Sequence, residues 1–126
     1  MAGLTFDTGA LIGLERARHQ MRKVFDVAVT HGVPITVPTV VVTEWWHAGK
    51  GVKLRDQILR ALRIEPLDVN IAKLAGEVLG IIPGSSLADA IVMASASLRG
   101  DIVYTSDPDD LENLRSIFPA VRIERA

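Results

Sequence analysis

Ser86-Leu87-Ala88-Asp89-Ala90-Ile91-Val92-Met93-Ala94-Ser95-Ala96-Ser97-Leu98 has the length and composition of a helix with almost no polar face. Between Asp89 and Arg99 only Ser95 and Ser97 carry polar side chains. A helix that is apolar all round belongs in a core. Asp89 nevertheless stands on it, in line with Val92, Met93 and Ala96 at helical spacing. A carboxylate facing a core is costly unless something pairs with it. One reading is structural: Ser86 as N-cap and Asp89 three residues on form a capping box, and the helix dipole favours the charge. The other is a metal ligand, which requires further ligands from elsewhere in the chain.

Working outward, short strand-like segments alternate with helical ones. Asp101-Ile102-Val103-Tyr104-Thr105 reads as a strand, Asp107 to Arg115 as a helix and Val121-Arg122-Ile123 as a final strand. On the N-terminal side, Leu4-Thr5-Phe6 is a first strand that ends at Asp7-Thr8-Gly9, followed by a helical turn or two over Ala10 to Leu14. An amphipathic helix over Arg18 to His31 presents Met21, Val24, Phe25 and Ala28 on one face and stops at Gly32. Pro34-Ile35-Thr36-Val37 is a second strand, closed by Pro38. The β-branched stretch from Val40 to Trp46 is expected to be helical, because a short strand followed by Pro-Thr suits a helix start. Gly49 and Gly51 break the chain before an amphipathic helix over Val52 to Leu62. Ile64-Glu65-Pro66-Leu67 is a third strand, placed near a sheet edge by Pro66. Asp68 caps a helix to about Leu79, and Gly80 to Ser85 is a loop. The alternation predicts a single domain over residues 1–126, an α/β fold with a three-layer α/β/α sandwich and a mainly parallel, short-stranded central sheet. Right-handed crossovers then cover both faces with helices, and sites form at the carboxyl ends of the strands.

Composition narrows the function. The 126 residues are 48% hydrophobic, which argues for an ordered core. There is no cysteine, which excludes disulfides, thiolate zinc sites and cysteine nucleophiles and suits a reducing, cytoplasmic setting. Met1 leads into Leu4-Thr5-Phe6 without a basic segment or long apolar run, so neither a signal peptide nor a membrane span is expected. The formal net charge of −1 means that any nucleic-acid-binding surface must be local.

Asp7 closes the first strand and Asp107 lies just past the fourth, so parallel strands put both carboxylates at one sheet edge. Glu44 follows the second strand from that same edge. Each has an ordinary alternative: Asp7 as an N-cap, Asp107-Pro108-Asp109-Asp110 as cap, proline and first-turn acids, Glu44 as a solvated helix acid. Together with Asp89 they would repel one another strongly if left bare. Oxygen ligands without histidine or cysteine suit Mg²⁺ or Mn²⁺, ions that bind substrate phosphates and activate water in phosphodiester cleavage.

Four segments, Phe6-Asp7-Thr8-Gly9-Ala10-Leu11-Ile12, Val42-Thr43-Glu44, Ala88-Asp89-Ala90-Ile91-Val92-Met93-Ala94 and Tyr104-Thr105-Ser106-Asp107-Pro108-Asp109-Asp110-Leu111, resemble in order and spacing the motifs of PIN domains, in particular VapC-type toxin ribonucleases. The resemblance spans essentially the whole chain. It implies a Mg²⁺-dependent endoribonuclease whose catalytic and metal-binding acids are Asp7, Glu44, Asp89 and Asp107. Thr105 or Ser106 would orient the site or its waters, and Asp110 would be an outer acid or a cap. It further implies an RNA substrate, a homodimer and a cognate antitoxin that wraps the toxin with an amphipathic segment. Leu11, Leu14, Val24 and Phe25 are candidates for the antitoxin groove, with core packing as the alternative for each.

Trp45 and Trp46 point about 100° apart on a helix, so one should be core and the other free to stack on a base or meet a partner. His47, His19 and His31 read as surface groups. Of the basic residues, Arg16, Lys50 and Lys53 follow the segments nearest the acids and are candidates to hold RNA phosphates. Two competing functions remain. One is a non-catalytic PIN-like RNA- or protein-binding module whose acids only cap helices. The other is a Mg²⁺-dependent phosphatase of another doubly wound fold. That phosphatase would usually carry a second Asp two residues after Asp7, where this chain has Gly9.

Overall fold

The computed structural model describes residues 2–46 and 51–126. The chain runs β1 (Leu4–Phe6), α1 (Thr8–Glu15), α2 (His19–Thr30), β2 (Ile35–Pro38), α3 (Thr39–Trp45), α4 (Val52–Arg60), β3 (Arg63–Glu65), α5 (Val69–Ile81), α6 (Leu87–Arg99), β4 (Ile102–Thr105), α7 (Pro108–Glu112), a 3-10 turn (Asn113–Ser116) and β5 (Arg122–Arg125). The strands form one sheet in the order β3-β2-β1-β4-β5, and every pairing is parallel. The chain steps from β1 to β2 to β3 in one direction, returns across the sheet to β4, and continues outward to β5. With right-handed crossovers, this puts α1 to α4 on one face and α5 to α7 on the other. The reversal of direction falls between β1 and β4, and that crevice is where an open α/β sheet offers a site.

The expected α/β/α architecture is therefore present, with β3 at the sheet edge as Pro66 suggested. The β-branched segment over Thr39–Trp45 is helical, with Val41 and Trp45 buried. Several boundaries differ: β3 is Arg63–Glu65 and ends before Pro66, β5 is Arg122–Arg125, the helix after Asp107 is α7 followed by a 3-10 turn, and α5 continues to Ile81. The opening helix α6 is capped by Ser86, whose Oγ accepts the Asp89 N–H at 3.0 Å, and is stopped by Gly100 in the left-handed conformation (φ 72°). Ala90 to Ala96 are buried. The helix is not buried all round, however, because Leu87 and Leu98 are 60% and 61% exposed. Its small residues fit against β1, β2 and β4 while its two terminal leucines face away.

The edge of the sheet opposite the carboxyl ends holds a polar clamp not read from the sequence. Asp101, just before β4, is buried rather than part of the strand. Its Oδ1 accepts the Gly3 N–H (2.8 Å), and its Oδ2 accepts Thr5 Oγ1 (2.9 Å) and Arg99 Nε (2.8 Å). Arg99 also reaches Glu65, Ser95 and Thr5. A buried carboxylate so fully paired ties α6, β1 and β4 together. Removing one partner of a buried ion pair typically costs about 3–5 kcal/mol. Asp101→Ala should therefore lower unfolding stability by an amount of that order, and Asp101→Asn by less, as measured by urea denaturation.

Candidate active site

Strand direction sets the site. α6 leads into β4 and runs opposite to the strands, so its N-terminus, with Ser86 and Asp89, lies at the carboxyl edge of the sheet. Asp7 follows β1 directly, and its N–H continues the ladder to Tyr104 O at 3.2 Å. Asp107 lies just beyond β4, and its N–H donates to Thr105 Oγ1 at 3.0 Å. Glu44 is on α3, which leaves β2 at the same edge.

The capping alternatives divide. Asp7 does cap α1, accepting Ala10 N–H on Oδ1 at 2.9 Å. Asp89 occupies the first turn of α6 as a capping box would place it. Asp107 makes no side-chain cap to α7. Glu44 is exposed but not merely solvated: its Oε1 accepts the Thr8 hydroxyl at 2.7 Å. Asp89 is half-buried at the rim, not directed into the core as its helix suggested.

The acids act on one another. Burial pushes Asp7 up from 3.8 to about 6, against the pull of a Thr105 hydrogen bond and the cap, with Asp89 adding repulsion. Burial also raises Asp89, Ser86 draws it back, and Asp110, Glu44 and Asp107 raise it further. Asp110 is raised chiefly by a hydrogen bond with Asp107 and by that group's charge. The strongest charged neighbours of Asp89 are thus all carboxylates. Among the described residues, no group of three such side chains is drawn together tightly enough to hold a metal ion by itself. Carboxylates without histidine or cysteine are the donors that a hard cation takes. An ion there would complete its coordination with water or substrate oxygens, as Mg²⁺ commonly does.

Thr105 is buried and links two acids, since its hydroxyl bonds Asp7 and accepts the Asp107 amide. Ser106 is exposed and packs on Gly9: a Cβ at Gly9 would lie 1.9 Å from Ser106 Oγ and 2.8 Å from its Cβ. Arg16 and Lys53 are exposed. Lys50 and His47 lie outside the described residues. Several other expectations resolve as packing. Leu11 and Leu14 are core, Val24 and Phe25 are half-buried, and Trp45 is core while Trp46 is half-buried. Arg55, on α4, is buried and ion-paired to Glu15. Glu15 also accepts Trp45 Nε1 at 3.3 Å. No local pattern announces that triad, because its members are spread over α1, α3 and α4.

No protein-family model and no curated protein matches the sequence. Solved structures do. A chain of the DNA-bound VapBC from Salmonella typhimurium superposes with a TM-score of 0.81 at 16% identity, covering 99% of this chain and 98% of that one. A chain of VapBC2 from Rickettsia felis, bound to a fragment of its promoter DNA, gives 0.77 at 12% identity, with 98% of each covered. A toxin-antitoxin complex from Klebsiella pneumoniae gives 0.72 at 21% identity, covering 94% and 95%. The fold is PIN-like. At these identities the likeness concerns the path of the backbone, and the acids must be judged on their own chemistry.

Two outcomes follow. Gly9→Ala should force the Ser106 loop outward and cost about 1–3 kcal/mol, the usual range for overpacking; Ser106→Gly should recover part of the loss, both read by thermal unfolding. The raised Asp7 pKa means that the folded protein binds this proton more tightly than the unfolded chain. Its contribution to metal-free stability is therefore present at acid pH and declines as pH rises from 3.8 through about 6. Asp7→Asn should flatten that decline in denaturation curves recorded across this window.

Proposed function

We propose that this protein is a Mg²⁺-dependent endoribonuclease, the toxin of a toxin–antitoxin pair. What supports the reading is that Asp7, Glu44, Asp89 and Asp107 all stand at the carboxyl edge of the sheet, with Asp7 raised to about 6 mainly by burial and Asp89 raised by burial and by the charges of Asp110, Glu44 and Asp107. Carboxylates so placed are poorly satisfied by the protein alone. Asp7, Glu44, Asp89 and Asp107 would hold the ion, with Asp110 outside them. Bound Mg²⁺, or Mn²⁺ in its place, would supply Lewis-acid stabilisation of a phosphodiester and a more acidic water.

The chain's own groups do the positioning. Asp7 is fixed by its cap and by Thr105, so that one carboxylate oxygen is directed by Ala10 N–H. Thr105 couples Asp7 to Asp107. Arg16 and Lys53, exposed on α1's end and α4, are assigned to the RNA backbone, where phosphate contacts set register without reading sequence. RNA is the substrate in this reading, and an apolar groove belongs to the antitoxin. That groove is a hollow of about 320 Å³ beside α2, lined by Val24, Val27, Val33 and Tyr104 among others. Val27 is half exposed there. The homodimer belongs to the same proposal, with Leu87 and Leu98 as exposed apolar groups on α6. Among the described residues, no helix is long and apolar enough to cross a membrane.

Cleavage of total RNA by the purified protein tests the reading. Loss of an outer partner of a metal ligand costs about 10–100-fold, so Asp7→Asn and Asp89→Asn should each lose at least the upper end of that range. Chelation should abolish cleavage and Mg²⁺ should restore it. Cleavage that is indifferent to metal, or variants as active as the wild type, would remove the nuclease assignment and leave a binding module.

A further inference from the structure

Glu44 differs from the other acids of the edge. Asp7 follows β1 directly, Asp107 lies just beyond β4, and Asp89 sits at a capped helix start. Glu44 lies near the end of α3 on a longer side chain and is exposed. Its charge repels Asp89. Left to itself, such a side chain would turn toward water and away from the other carboxylates. Its one hydrogen bond among the described residues is from Thr8 Oγ1 to Oε1, at 2.7 Å.

We infer that Thr8 is the positioning residue of the acidic edge, holding Glu44 over the site through its hydroxyl. The inference rests on the metal-dependent reading above. Thr8 suits the task. It is half-buried at the start of α1, between Asp7, whose backbone is held by β4, and Gly9, against which Ser106 closes. Its β-branched side chain has few rotamers. A hydroxyl donating to a carboxylate forms a charge-assisted bond, stronger than a neutral one. The bond engages Oε1 and leaves Oε2 for an ion. One tripeptide therefore touches three parts of the edge: Asp7 through its own carboxylate, Thr8 through Glu44, and Gly9 through the β4–α7 loop that carries Asp107.

Mn²⁺ titration of RNA-free protein, by calorimetry or paramagnetic resonance, tests this apart from catalysis. Thr8→Val keeps the shape and removes the donor, so it should weaken Mn²⁺ binding about 10–100-fold, the range for groups that orient metal ligands. Its metal-free thermal midpoint should stay near that of the wild type. Thr8→Ser should restore most of the affinity. In a Glu44→Gln background, Thr8→Val should have little further effect, because Thr8 acts through Glu44. Thr8→Ala serves if the valine variant does not fold. Wild-type affinity in the hydroxyl-free variant, or a full additional loss in the Glu44→Gln background, would overturn the inference while leaving the nuclease reading intact. No Mn²⁺ binding by the wild type would overturn both.

Discussion

The pairing of β1 with β4 is the contact on which the acidic edge depends. Leu4, Thr5 and Phe6 pair with Ile102, Val103 and Tyr104 in register, and Asp7 and Asp107 emerge from the same end of that ladder. The opposite end is held by Asp101, which takes bonds from Gly3 and Thr5 on β1's side and from Arg99 at the end of α6. A slip of one residue would turn every side chain of the strand to the other face. It would also strip Asp101 of its donors. A satisfied carboxylate at one edge thus fixes the position of unsatisfied ones at the other. The two sets share a side-chain type and differ in what surrounds them: a guanidinium, a hydroxyl and an amide for Asp101, mainly other acids for Asp89.

Capping does not exhaust what these residues can do. Asp7 spends Oδ1 on the Ala10 amide in the first turn of α1, and Ser86 Oγ accepts the backbone N–H of Asp89 in the first turn of α6, which leaves the Asp89 carboxylate out of the cap. The caps orient the helices, and through them the carboxylates, without consuming all of their oxygens. Helix starts carry partial positive charge that offsets some of the repulsion. The offset is incomplete, as the raised Asp7 and Asp89 pKa values record.

The alternation of strands and helices was legible in the sequence because each element is short and bounded by Pro, Gly or a capping residue. α3 was legible only through topology: Thr39-Val40-Val41-Val42-Thr43 favours strand by propensity, and its place between β2 and α4 overrides that preference. Approximate placement of the acids followed from strand ends. What escaped was long-range and polar. Arg99 with Asp101, Glu65 and Thr5, and Glu15 with Arg55 and Trp45, join positions distant in sequence, and each residue alone looks like a solvated charge. The apolar stripe of α6 was overread at Leu87 and Leu98, since a pattern of residue types does not tell where a helix passes beyond its sheet.

The double tryptophan beside Glu44 gains a meaning from these networks. Trp45 is buried, meets the Arg55 guanidinium 5.8 Å from its ring centroid, and donates to Glu15 at the end of α1. Its neighbour Glu44 bonds Thr8 at the beginning of α1. Adjacent residues of α3 therefore grip opposite ends of one helix. Such a two-point attachment fixes both the distance of α3 from α1 and its rotation about its own axis, which neither contact could do alone. Trp46 packs edge-to-face on Trp45, with ring centroids 6.4 Å apart, and stiffens the same end. An acid near the end of a short helix would otherwise be free to turn into solvent. With the buried Trp45 beside it and Thr8 bonded to its carboxylate, Glu44 is held toward the start of α1.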